Sequence, residues 1–175
     1  MILSIISAIG NNNELGKKND LLWSLPSDMK HFREKTRGHA VLMGQKTYES
    51  LARDENGKQV GRLLPNRRNI ILTQDNSFVA PGAEIFYSID DAIDLLKKTT
   101  NEGDEVFVIG GGMIYKLFID KVDKLHVTHV GGDFPDAEIF FPEIDLNIWK
   151  KTKSEKLPKD DLNKYDLEFA EYTRL

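Results

Sequence analysis

Four short stretches carry ligand-holding side chains at telling positions. In WSLPSDMKHF, residues 23–32, a single acid, Asp28, falls among apolar residues. Pro26 suits a first helical turn, with Ser24 or Ser27 as its cap. Leu25, Asp28, Met29 and Phe32 then recur at spacings of three and four, which puts them on one helix face. A carboxylate on an apolar stripe is costly unless something pairs with it. Asp28 therefore either offsets the helix dipole or lines a pocket for a cationic or hydrogen-bond-donating ligand. In VIGGGMIY, Gly110, Gly111 and Gly112 let the backbone approach a ligand where a helix begins, and a helix N-terminus favours anions. The spacing is not GxGxxG, and a tight strand-to-helix turn is the ordinary alternative. In VLMGQKTYES, Gly44 ends a strand and Gln45, Lys46 and Thr47 open a helix. Amides, a hydroxyl and an ammonium together suit a nucleotide phosphate; a plain cap by Thr47 is the alternative. In LLPNRRNIILT, Arg67 and Arg68 match a carboxylate bidentately or form a solvated turn.

Composition narrows the classes. With 175 residues, 40% hydrophobic and 30% charged, the chain suits one globular domain over residues 1–175. A net charge of −4 argues against bulk attraction to nucleic acid. There are no cysteines, and His31, His39, His126 and His129 show no zinc spacing, so no metal site is expected. His126 and His129 read as ordinary residues on opposite faces of a strand. No apolar run approaches membrane-spanning length, and the N-terminus reads as a strand rather than a signal peptide. A cytoplasmic protein is expected.

The elements that must hold these stretches alternate. ILSIISAI, HAVLMG, NIILT, AEIFY, EVFVIGGG and KLHVTHV read as strands, and IFFP as a short one. Helices are expected after Leu25, over QKTYESLA, over SIDDAIDLLKK with Ser88 and Asp91 as a capping box, and over MIYKLFI, with Met113, Tyr115, Leu117 and Phe118 available for packing. NNNELGKKNDLL and residues 53–62 read as loops. IWKKTKSEK and LEFAEYTRL read as late antiparallel strands. The pattern predicts an α/β fold: a central, mostly parallel sheet, helices on both faces and an antiparallel C-terminal edge. Ligands bind such sheets beyond the carboxyl ends of the strands.

The ordered combination W-x-L-P-x-D, M-G-x-x-T, L-P-x-R and I-G-G-G resembles the dihydrofolate reductases of the bacterial chromosomal type. The likeness runs through nearly the whole chain: ELGKKNDLLWSLPSDMKHF, the VLMGxxTYES block, LLPNRRNIILT, VIGGGMIY, LHVTHV and IFFP. It implies a dihydrofolate-reductase-like fold and NADPH-dependent reduction of 7,8-dihydrofolate to tetrahydrofolate, for one-carbon and nucleotide biosynthesis. Hydride goes to C6 and a proton to N5. It also implies a monomer that binds antifolate inhibitors.

By the same resemblance, Asp28 binds the 2-amino group and N3 of the pterin, and Thr128 fixes the Asp28 carboxylate. Phe32 stacks on the ring, Leu64 lines the benzoyl pocket and Arg67 takes the α-carboxylate of the glutamate tail. Trp23 closes the site through an ordered water, with Leu21 beside it in the catalytic set. Ile6, Ala8, Ile109 and Tyr115 contact the pterin or nicotinamide. Leu15 and Gly16 join Ala8 at the nicotinamide end, under a mobile lid of residues 11–24. Gly44, Lys46, Thr47, Gly111 and Gly112 hold the phosphates. Gln45, Leu72, Thr73, Gln74, Gly110, Met113 and Tyr115 complete the cofactor set. The Gly110–Gly111 peptide is expected cis.

Three departures stand out. Gln45 stands where many members carry arginine, leaving Lys46, Thr73 and Gln74 to favour NADPH over NADH. Leu22 replaces a common proline. Residues 53–61 look like an insertion before LLPNR. Two rival readings are a related reductase acting on another pterin or a ribosylated aminopyrimidine, and a non-catalytic nucleotide-binding module.

Overall fold

Near-continuous apolar strands build a sheet with two buried faces. The computed structural model describes residues 1–175. Its elements run β1 (Ile2–Ile9), β2 (Glu14–Lys17), β3 (Asp20–Leu21), α1 (Pro26–Thr36), β4 (Ala40–Gly44), α2 (Gln45–Ser50), β5 (Arg68–Leu72) and β6 (Glu84–Phe86). They continue α3 (Ile89–Thr99), β7 (Glu105–Val108), α4 (Gly112–Phe118), β8 (Lys124–Val130), β9 (Ile139–Phe140), β10 (Trp149–Leu157) and β11 (Leu167–Arg174). One eight-stranded sheet has the order β10-β11-β8-β1-β7-β4-β5-β6. Its six central and right-hand strands are parallel, and β11 and β10 add antiparallel at one edge. Leu42, Ile70, Val106 and Val108 face Ala92, Leu96 and Phe118 of α3 and α4. Val41, Met43, Ile71 and Phe107 face the other way, toward Phe32 of α1 and Tyr48 of α2. The expected α/β class, mixed sheet and helices on both faces are all present.

Several local expectations are corrected. NNNELGKKNDLL is not simply loop: β2 and β3 form a hairpin, with β9 on the other side of β2, in a small second sheet. The strands are too short and polar to show period-two apolar alternation. The turn places Lys18 and Asn19 at positive φ, where asparagine is at ease. Of the four α4 residues expected to pack, Tyr115 and Phe118 are buried while Met113 and Leu117 are exposed. The seven-residue helix turns only one side to the sheet. Ser88 does cap α3, accepting from the Asp91 N–H at 3.4 Å.

The start of α1 is held from far away in sequence. Neither Ser24 nor Ser27 caps it; Leu25 is the N-cap and Pro26 opens the helix. The buried Asn163 supplies the missing bonds. Its Oδ1 accepts from the Ser27 N–H at 3.0 Å and its Nδ2 donates to Ser27 Oγ at 2.9 Å. Replacing Asn163 by alanine should cost about 1–2 kcal/mol, the range of a lost cap, read as a lower midpoint in chemical denaturation at unchanged slope.

His126 is more than an ordinary strand residue. It is buried beneath α1, with Nε2 at 2.8 Å from Glu105 Oε1 and Nδ1 at 3.6 Å from Glu171 Oε1. Glu105 also accepts from Ser4, and Glu171 from Lys35 of α1 at 2.7 Å. Burial alone would raise the Glu171 carboxyl. The hydrogen bonds of Lys35 and Lys153 and the nearby positive charges outweigh that and hold it at about 2. This polar chain ties the far end of α1 to β7, β8 and β11.

Candidate active site

The carboxyl ends of β4 and β7 meet where the Gly44 N–H donates to the Gly110 carbonyl, and α1 packs against the same sheet face through Phe32. Asp28 lies on α1 facing β8. Burial raises its carboxyl above the ordinary carboxylate range, and the bond from the Thr128 hydroxyl offsets this only in part. No basic side chain pairs with it. A half-buried carboxylate held by one hydroxyl and otherwise free suits a flat ligand that offers paired N–H groups. Of the residues expected on its face, Leu25 is buried, Phe32 half-buried and Met29 40% exposed.

Around Asp28 the expected contact residues converge. Ile6, Phe32, Leu64 and Ile109 share one apolar cluster. Ala8 and Trp23 share the adjoining one. The Tyr115 hydroxyl donates to the Ile6 carbonyl at 2.9 Å, and burial and the nearby Asp28 charge keep it un-ionised. Trp23 packs against Phe134 with the rings tilted at 57° and their centroids 4.8 Å apart, and its buried Nε1–H has no partner. That orphan donor is what a bound water or ligand atom would satisfy.

Arg67 sits at the mouth of the cleft, braced rather than paired. It donates to Thr36 Oγ1 at 2.9 Å, the Pro65 carbonyl at 2.6 Å and the Arg33 carbonyl at 3.1 Å. Those bonds use about three of the five guanidinium N–H groups. The rest remain for a ligand carboxylate. The turn carrying Arg67 and Leu64 is cinched by Asn69, whose amide bonds the Leu64 N–H, the Leu64 carbonyl and the Arg67 carbonyl, each at 3.0 Å. Sequence reasoning missed Asn69 and Thr36. Their only signal is a polar residue at a helix end or a strand start.

The glycines form a cradle beside this pocket. The Gly110–Gly111 peptide is cis, and Gly110 has φ +111°. A Cβ there would lie 3.0 Å from the Tyr115 ring, so only glycine fits. The Gly44 N–H donates to the Gly110 carbonyl at 2.8 Å, joining the two glycine stretches. A Cβ on Gly111 would lie 3.3 Å from Thr47 Oγ1, so backbone and hydroxyl face the same space. A nucleotide fits here: its phosphates would meet the start of α2 and the exposed Lys46.

Other expected cofactor residues are placed differently. Leu72 is buried in the core under α3, because its register turns it away from the cleft face. Leu15 is buried in the same cluster. Gly16 is buried in β2, paired with Leu21 and Ile139. Gly112 is buried under β9, and Met113 is 69% exposed. Leu21 is 62% exposed on the hairpin, and no contact brings it to Asp28. Gln45 accepts from Thr73 and donates to Glu49 at 2.8 Å, while Gln74 is exposed beside them. A groove of ≈ 730 Å³ lined by Met1, Leu3, Asp94 and Asp123 lies at the opposite, amino ends of the strands, away from this chemistry.

A carboxylate-lined pocket beside a glycine cradle, at the strand ends of a mostly parallel sheet, defines an α/β enzyme that holds a nucleotide and a second ligand side by side. Comparison with known proteins agrees. Residues 2–174 match the family model described as dihydrofolate reductase. The dihydrofolate reductase of Staphylococcus haemolyticus is 38% identical over 173 residues, 99% of this chain and 96% of that protein. Dihydrofolate reductase type 3 of Salmonella typhimurium is 33% identical over 99% of both chains. The solved structure of dihydrofolate reductase from Enterococcus faecalis, complexed with NADP(H) and RAB-propyl, superposes with a TM-score of 0.83 at 29% identity, covering 99% of this chain and 96% of that one. The chain belongs to the dihydrofolate reductase family.

Proposed function

We propose that the whole chain, residues 1–175, acts as one dihydrofolate reductase domain, reducing 7,8-dihydrofolate to tetrahydrofolate with NADPH. The observation that carries this is the unpaired, half-buried Asp28, fixed by Thr128 and flanked by Phe32, Ile6 and Ile109. Asp28 takes the paired N–H groups of the pterin edge, and Phe32 covers its face. Leu64 lines the middle of the substrate, and Arg67 takes its tail carboxylate. Gly44, Thr47, Gly110 and Gly111, with Lys46, hold the nucleotide phosphates. Bound NADPH supplies the hydride that reaches C6. The protein's own work is alignment and exclusion of water. Asp28 grips the ring far from N5, so it polarises the pterin while water delivers the N5 proton. A role for Trp23 in holding that water is supported by its buried Nε1–H, which has no protein partner. Leu21, exposed in this arrangement, acts only through the hairpin that bears it. The protein works as a monomer in the cytoplasm and binds antifolates in the Asp28 pocket; no helix is long and apolar enough to cross a membrane.

Mixing the purified protein with dihydrofolate and NADPH should consume the two in equal amounts, with loss of the nicotinamide absorbance. Tight NADPH binding without turnover on dihydrofolate would instead favour another substrate or a binding role.

A further inference from the structure

Residues 53–61, expected from the sequence as an insertion, form an ordered platform fixed to α2. Asp54 Oδ1 accepts from the Asn56 and Lys58 N–H groups at 2.9 Å each. The Val60 N–H donates to the Ala52 carbonyl at 2.9 Å, and the Gly61 N–H to the Glu49 carbonyl at 3.0 Å. Arg53 and Gln59 face each other across its base.

From this platform two side chains reach the tip of the β2–β3 hairpin. Arg53 Nη2 lies 2.7 and 2.6 Å from the two carboxylate oxygens of Asp20. Gln59 accepts from Asn19 Nδ2 at 2.8 Å and donates to the Asn19 carbonyl at 3.2 Å. Asn19 Nδ2 also donates to the Lys46 carbonyl at 2.8 Å, in the first turn of α2 and two residues from Gly44. The hairpin base is held separately, by β9 and by the Glu138 N–H on the Gly16 carbonyl at 3.0 Å. The tip therefore spans to the Lys46 end of α2, and the 53–61 platform clasps it there. The Arg53–Asp20 pair is exposed and the Asn19–Gln59 contacts only half-buried, so the clasp is weak enough to open and close.

We propose that Arg53 and Gln59 are positioning residues. Acting through Asp20 and Asn19, they keep the β2–β3 hairpin over the glycine cradle and set how long the nucleotide stays bound. This rests on the assignment of the cradle to NADPH.

The test is NADPH dissociation. Protein loaded with NADPH is chased with excess NADP⁺, and loss of energy transfer from tryptophan to the nicotinamide is followed in wild type, Arg53→Ala, Gln59→Ala and the charge swap Arg53→Asp with Asp20→Arg. Each alanine variant should release NADPH about three- to tenfold faster, the scale of one exposed pair or a few polar contacts. The charge swap should restore slow release. Wild-type release should quicken with added salt more than Arg53→Ala release does, because the exposed Arg53–Asp20 pair is screened in addition to the phosphate contacts. Single-turnover hydride transfer should not change. Unchanged release in both alanine variants, or a charge swap as fast as Arg53→Ala, would overturn the clasp while leaving the cofactor assignment standing. A wild type that retains no NADPH would overturn that assignment and the clasp with it.

Discussion

Asp28→Asn should lower turnover at neutral pH by about 10²- to 10⁴-fold, the range of a positioned acid–base group, with NADPH affinity unchanged. The size follows from the isolation of the carboxylate. It is half-buried, has one hydroxyl partner and has no neighbouring acid to take its place. The nucleotide cradle is built from other elements, so its affinity should survive. Unfolding cannot mimic this outcome. The folded-state pKa of Asp28 is raised, so its contribution to stability is present in acid and is lost as pH rises through that raised value. At neutral pH the ionised group costs stability, and the neutral amide removes that cost. The variant should melt no lower than wild type. Calorimetry, equilibrium NADPH titration and steady-state rates together check it. An equal loss of NADPH affinity would count against the assignment.

Arg67→Leu should raise KM for dihydrofolate by about 10²-fold, corresponding to roughly 3 kcal/mol for a charge-assisted pair with a carboxylate. Turnover at saturation should change much less, because this contact is remote from C6 and holds ground state and transition state alike. The guanidinium is already oriented by Thr36 and the Pro65 and Arg33 carbonyls. Little ordering entropy remains to oppose the bond when substrate arrives. A dihydropterin without the glutamate tail provides the control: wild type and variant should have the same KM for it. A persistent difference would mean that Arg67 acts by holding the turn instead.

The sheet was readable because its strands are continuous apolar runs, as burial on both faces of ILSIISAI or HAVLMG requires. The Asp28 face and the glycine cradle were readable for a similar reason, since each is local: a few residues at helical spacing, or a turn where a side chain has no room. The β2–β3 hairpin was not, because four- and two-residue strands of polar residues carry no period. Long-range polar partners were equally invisible. Asn163 caps a helix 136 positions away, and His126 joins two glutamates that no local spacing relates. Leu72 fails for a subtler reason. It lies next to Thr73, but one residue of register reverses the face it meets, and the side chain falls into the core under α3.

The most direct measurement is the pH dependence of the single-turnover hydride step in wild type and Asp28→Asn, with NADPH carrying deuterium at the transferred position as the check that this step is observed. A carboxylate that polarises the pterin couples its charge to the protonation of N5, so the two should titrate as a unit. Hydride transfer needs N5 protonated, and the Asp28 charge raises the basicity of N5, so the wild-type rate should be highest in acid and fall as pH rises. Without the carboxylate nothing raises the basicity of N5. The variant should be slower throughout and recover steadily toward acid. Matching profiles in the two proteins would contradict the claim that Asp28 activates the pterin.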